Sequence, residues 1–225
     1  MGIRRATTSS PGHAIVAAAR RLDAARLNTG SAGNVSVRDG TGMWITPSGV
    51  AADALDAESI VRVGPDGHAE GALAPSSEWR FHLDLYRARP EAGAVVHTHA
   101  PFATALACHR LEIPPFHYMV ARFGGHNVRC ARYATFGTQT LSDHILAAIE
   151  DRSACLIANH GMLVFGRELK HALAAAIEFE ALCEQYCRAL QLGMPVLLST
   201  EEMAEVVARF RWYGRPVNPH DNEGN

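Results

Sequence analysis

Ala94-Val95-Val96-His97-Thr98-His99-Ala100 is the stretch on which the reading of this 225-residue chain turns. Its first three residues are apolar and lead into the histidines, as in a buried strand. Residues two apart on a strand project from the same face, so His97 and His99 can aim both imidazoles at one point. A second apolar run, Ala154 to Ala158, ends at Asn159-His160-Gly161, where a strand enters a turn. Two strand ends can therefore deliver three imidazoles to one locus. Three protein ligands with an open position is the layout of a catalytic zinc site. A histidine at a strand end also serves as an ordinary polar residue, so the neighbouring segments must decide.

Pro75-Ser76-Ser77-Glu78-Trp79-Arg80-Phe81-His82-Leu83 runs from a loop into a helix expected over 78–89. Trp79, Phe81, Leu83 and Tyr86 fall there at helix-compatible spacings. The two serines sit where the helix begins, a place whose free N–H groups and dipole attract anions. Serine is also a plain helix cap, and Glu78 a favourable charge in a first turn. Upstream, Thr29-Gly30-Ser31-Ala32-Gly33-Asn34-Val35-Ser36-Val37 and Trp44-Ile45-Thr46-Pro47-Ser48-Gly49 each set small polar residues beside a short β-like run. Glycine lets a backbone approach a ligand closely, and small hydroxyls and amides donate to oxygen. Neither cluster is a Walker loop or a GxGxxG turn, and alone each reads as a turn. Three such loops and a histidine trio in one chain point to a phosphate pocket beside a metal.

The remaining segments mix helices with short strands, which makes the chain α/β. His13 to Leu27 is alanine-rich without Gly or Pro and reads as a helix. Strands are expected at Asn34–Arg38, Gly42–Thr46, Ile60–Val63 and 93–99, with a turn at Gly64-Pro65-Asp66-Gly67. A helix should start near Pro101 and another span Phe136 to Glu150. Cys155–Ala158 and Met162–Phe165 read as strands around the Asn159–Gly161 turn. Glu168 to Leu192 is a long amphipathic helix closed by Gly193 and Pro195, and Thr200 caps a final one. No repeat or linker divides the chain, so one domain over 1–217 and a polar tail over 218–225 are expected.

Composition bounds the function. Hydrophobic residues make up 48% and the formal net charge is −2, which suits a soluble globular protein and supplies no basic excess for nucleic acid. No apolar run is long enough to cross a bilayer. The start, MGIRRATTSSPGH, lacks the apolar core of a secretory signal, and Ala6 stands where myristoylation needs Ser or Thr. Cys108, Cys130, Cys155, Cys183 and Cys187 have no framework spacing and read as reduced, buried thiols of a cytoplasmic protein.

Taken together, SAGNVSV (31–37), ITPSG (45–49), PSSEWRFH (75–82), AVVHTHA (94–100), PPFHYM (114–119), YATFGT (133–138) and NHG (159–161) resemble the class II aldolase/adducin family from the first helix to Tyr213. The resemblance implies a three-layer domain with a central, mostly antiparallel sheet flanked by helices. It implies zinc on His97, His99 and His160, with Glu78 as catalytic carboxylate and a possible fourth ligand. It implies phosphate-binding loops at Ser31, Gly33, Asn34, Ser48, Gly49, Ser76 and Ser77. Tyr118 would reach in from a neighbouring subunit of a homotetramer, and Phe210 and Tyr213 would join it from the C-terminal end. Cobalt or manganese would suit the same imidazoles.

The implied reaction is reversible cleavage of an L-fuculose 1-phosphate-like ketose 1-phosphate to dihydroxyacetone phosphate and a short aldehyde such as lactaldehyde. The residue types fit. A metal on neutral imidazoles acts as a Lewis acid, and Glu78 is a base for the proton beside the carbonyl. Lys170 is the only lysine and lies outside every motif, which argues against a Schiff-base aldolase. Family epimerases resemble SSD where this chain has Ser76-Ser77-Glu78, which favours an aldolase over a ketose-phosphate 4-epimerase. A methylthio- or deoxy-ribulose 1-phosphate dehydratase or aldolase would have a similar site. Non-catalytic adducin-like modules lack the histidines that this chain keeps. His82, His117, His126 and His144 are read as structural.

Overall fold

The structure, a computed structural model, describes residues 11–210. Its strands are β1 (Asn34–Asp39), β2 (Gly42–Ile45), β3 (Val61–Val63), β4 (Ala69–Glu70), β5 (Ala94–Thr98), β6 (Cys130–Ala131), β7 (Ala154–Ile157) and β8 (Gly161–Gly166). They form one sheet in the order β4-β3-β2-β1-β5-β8-β7-β6. Every neighbouring pair is antiparallel except β6 with β7. The helices are α1 (Pro11–Ala24), α2 (Trp79–Ala88), α3 (Pro101–Cys108), α4 (Gln139–Ala148), α5 (Leu169–Leu192) and α6 (Thr200–Phe210), with a 3₁₀ segment at Tyr118–Phe123.

All five residues of β5 are buried because helices cover both faces of the sheet. Strand alternation sorts its side chains. Ala94 and Val96 join a core with Leu22 of α1, Leu106 of α3 and Phe179 of α5. Val95 points the other way, into a core with Phe81 and Leu85 of α2 and Leu141 and Ile145 of α4. The expected three layers and mostly antiparallel sheet are both present. Among the described residues no helix is long and apolar enough to cross a membrane.

Differences from the sequence reading are local. Helix α1 stops at Ala24 rather than Leu27 because Arg26 turns left-handed, with φ 60°. The Leu27 N–H then bonds the Leu22 carbonyl at 2.9 Å and the Arg26 N–H the Asp23 carbonyl at 2.8 Å. This is a Schellman closure, with Leu22 and Leu27 both buried beneath it. Glycine usually marks such a stop, and arginine gives no signal. Helix α4 starts at Gln139 instead of Phe136, capped by the Thr138 side chain, which accepts from the Leu141 N–H. The short strands β4 and β6 carry no readable period. Cys155 and Cys183 are buried thiols, whereas Cys108 is exposed.

Candidate active site

Strand register places the first histidine. His97 pairs with Asn34 on β1 and with Leu163 on β8, and its ring meets Phe81 on the face covered by α2. His99 follows two residues later. His160 closes the turn between the paired ends Ile157 and Gly161, where Asn159 adopts φ 54°, a conformation asparagine tolerates. Glu78 precedes α2 at its cap position but makes no capping bond, because its carboxylate is turned toward the histidines.

One donor atom from each of Glu78, His97, His99 and His160 lies within 4.8 Å of the others. His97 Nε2 is 3.2 Å from Glu78 Oε2, and His160 Nε2 is 3.1 Å from Glu78 Oε1. His97 Nε2 also stands 3.1 Å from His99 Nε2. The Nδ1–H of His97 donates to the Met162 carbonyl at 2.8 Å, so Nε2 faces inward and offers its lone pair there whenever the ring is neutral. Glu78 Oε1 is buried and, although close to His160, receives no well-directed hydrogen bond. Buried, electron-rich atoms converging in this way repel unless a cation or proton lies among them. Three imidazole nitrogens and one carboxylate fit a divalent metal of the zinc type.

The electrostatics agree. Burial opposes ionisation of Glu78, yet the charge of His97 and the contacts with His160 and His97 hold its carboxyl far below the usual range. Burial also opposes a charge on His97, but the Glu78 carboxylate outweighs it and raises the pKa. His99 is lowered to about 4, first by burial and then by the charges of His97 and His160. Proton and metal would compete for the same inward lone pairs.

Glu78, His99 and His160 open onto a cavity of about 330 Å³. Ser31, Gly33 and Asn34 line it from the loop before β1, Ser48 and Gly49 from the loop after β2, and Ser76 and Ser77 from the approach to α2. Backbone bonds tie the last two loops together: Ser48 N–H to Ala74 O and Ser76 N–H to Thr46 O, each 3.0 Å. Gly33 has φ +72°, and a Cβ there would stand 2.5 Å from the Asn28 amide oxygen and 2.7 Å from the His97 carbonyl. Only glycine lets this loop press against the β5 end. Among the described residues, no lysine or arginine lines the cavity.

A profile of the class II aldolase and adducin N-terminal domain matches residues 13–187. The chain belongs to this family. Its class II aldolase relatives include 5-methylthioribulose-1-phosphate/5-deoxyribulose-1-phosphate aldolase of Rhodospirillum rubrum, 52% identical over 202 residues, 90% of this chain and 91% of that protein. L-fuculose phosphate aldolase of Escherichia coli K12 is 47% identical over 190 residues, 84% of this chain and 88% of that one. A solved L-fuculose 1-phosphate aldolase superposes with a TM-score of 0.87 at 38% identity, covering 91% of this chain and 98% of that chain.

Other residues of the class II aldolase-like site depart from the sequence reading or were absent from it. Helix α2 begins at Trp79, so neither serine is its cap. Ser76 instead is buried and accepts from Asn34 Nδ2 at 3.0 Å and the Glu78 N–H at 3.3 Å, while Ser77 is exposed. Tyr133, Ala134, Phe136 and Asn159 also line the cavity, with Tyr133 and Phe136 54% and 63% exposed at its mouth. The late start of α4 frees Phe136 for that position, which its helix-compatible spacing concealed. His82, read as structural, is fully buried and joined through Asn34 to Glu78. Burial, reinforced by the charge of His97, lowers its pKa to about 3.

Tyr118 and Phe210 are not brought to the cluster within one chain. Tyr118 is half-exposed, and with Met119, Val206, Arg209 and Phe210 it lines a separate cavity of about 190 Å³. Tyr213 lies outside the described residues.

Proposed function

We propose that the chain is a zinc-dependent aldolase that reversibly cleaves a ketose 1-phosphate to dihydroxyacetone phosphate and a short aldehyde. The observation that carries this reading is the Glu78–His97–His99–His160 group opening onto a cavity that, among the described residues, small polar groups line without lysine or arginine. His97, His99 and His160 would hold a divalent cation, which would supply Lewis acidity to stabilise negative charge developing on the substrate. Ser31, Gly33, Asn34, Ser48, Gly49, Ser76 and Ser77 offer backbone N–H and hydroxyl donors to the phosphate. Glu78, ionised and beside the reacting carbon, moves the proton there; as a weak base it relies on proximity. Lys170, far along the sequence, pairs with Glu168 at 3.2 Å and offers no imine route.

The aldehyde side is completed across a subunit boundary in a homotetramer, where Tyr118 transfers the hydroxyl proton and Phe210 and Tyr213 flank it. The half-exposed ring of Tyr118, outside its own chain's catalytic cavity, supports this arrangement. An L-fuculose 1-phosphate-like ketose is one substrate class. The 52% identity with the R. rubrum aldolase and the exposed Tyr133 and Phe136 at the mouth favour 5-methylthioribulose or 5-deoxyribulose 1-phosphate, whose aldehyde halves, unlike lactaldehyde, carry no hydroxyl beside the carbonyl.

The test offers all three phosphates to metal-loaded protein and follows dihydroxyacetone phosphate with a coupled NADH assay. The 5-deoxy and 5-methylthio substrates should give the highest kcat/KM, and chelator should abolish turnover. Loaded protein that epimerised these sugars without releasing dihydroxyacetone phosphate would overturn the aldolase reading.

A further inference from the structure

His82 lies four residues after Glu78, has no exposed surface, and uses both ring nitrogens. Its Nε2 is 2.5 Å from Asn34 Oδ1, and its Nδ1 is 2.7 Å from Ser36 Oγ. An amide oxygen only accepts, so Nε2 carries the proton and donates to Asn34. Nδ1 is then an acceptor, and Ser36 donates to it while accepting from the Tyr86 hydroxyl at 2.8 Å. At the other end Asn34 Nδ2 donates to Glu78 Oε2 at 2.9 Å and to Ser76 Oγ at 3.0 Å.

One donor direction therefore runs from Tyr86 through Ser36, His82 and Asn34 to Glu78. Reversing it would set the Asn34 carbonyl oxygen against the Glu78 carboxylate, two buried acceptors with nothing between them. Two periodicities build the chain. Asn34 and Ser36 share a face of β1, and Glu78, His82 and Tyr86 recur every fourth residue along α2 and the residue that precedes it.

We propose that His82 is a positioning residue for Glu78: by donating to Asn34 it fixes which end of the amide meets Oε2, and so holds the carboxylate with Oε1 toward His160. His82 is not among the residues lining the cavity, so it acts through Asn34 rather than on substrate. The inference rests on the reading of Glu78 as the proton-transfer group.

The test compares two substitutions and reads the wild-type ring directly. His82→Gln keeps an amide donor near the Nε2 position; His82→Asn is too short to reach Asn34. Relative to wild type, His82→Asn should lose roughly 10–100-fold in kcat, the range for groups that orient an active-site residue, with KM and bound metal unchanged. His82→Gln should recover most of the loss. Long-range ¹H–¹⁵N spectra of wild type, with and without metal, should show His82 as the neutral Nε2–H form. The Asn34 side-chain amide resonance should move in His82→Asn and stay in His82→Gln. Equal kcat for the two variants would overturn the proposal, as would an Nδ1–H ring in wild type, which decides even if a variant fails to fold. Protein inactive on every ketose 1-phosphate would remove the reading of the function, while the ring and amide spectra would still test the positioning.

Discussion

His97→Ala separates what a metal adds to the protein from what the fold supplies by itself. The side chain has no exposed surface, donates to the Met162 carbonyl and faces Glu78 Oε2 at 3.2 Å. Without metal, the variant loses a bond to a buried carbonyl, worth about 1–3 kcal/mol, and one partner of a buried carboxylate. Breaking such a pair costs roughly 3–5 kcal/mol; His160 still faces Glu78, so the combined loss should fall near the lower end. With metal at a hundred times its Kd, wild type should gain about 2.7 kcal/mol. For a chain of this size that corresponds to roughly 5–11 °C in Tm, at about 2–4 °C per kcal/mol. The variant, left with two imidazoles and one carboxylate, should show almost none of that gain. The assay is a calorimetric melt in chelator and in added zinc, paired with metal analysis of the dialysed protein. If His97→Ala rises by the same increment as wild type and retains one metal per chain, His97 is not a ligand and the cluster has been misread.

Glu78→Gln should keep the fold and metal yet slow exchange of the dihydroxyacetone phosphate proton with solvent by roughly 10²–10⁴-fold; near-normal exchange, followed by NMR, would require another base. Mixing inactive Glu78→Gln chains with inactive Tyr118→Phe chains should restore part of the activity, because some sites would receive both intact groups. A fully active monomer by light scattering would sink the shared site. The pKa of His82 falls from 6.5 to about 3 on folding, so below 6.5 the unfolded chain binds a proton that the folded chain refuses. That group contributes nothing at neutral pH and erodes stability as pH falls from 6.5 toward 3, by up to about 1.4 kcal/mol per pH unit. His82→Gln should flatten that slope in urea titrations, and identical slopes would contradict the buried neutral ring.

The sequence by itself determined the parts of this protein that depend on near neighbours. The two-residue period of a strand put His97 and His99 on one side, and the apolar run before Gly161 put His160 at a strand end. The Gly, Ser and Asn clusters marked loops that do line one cavity. Local reading faltered where the decisive contact came from elsewhere. Arg26 stops α1 with the Leu27 N–H bonded back to the Leu22 carbonyl, and Phe136 leaves its helix to stand at the cavity mouth. Histidine 82 is the sharpest case. The spacings Asn34–Ser36 and Glu78–His82–Tyr86 are both visible in the sequence, each on its own element. That they face each other depends on β1 pairing with β5 and on α2 covering that side of the sheet, contacts between residues 42 to 50 positions apart. Backbone geometry fixes what neighbours share, whereas the partner of a buried polar group is chosen by whichever distant element packing brings against it.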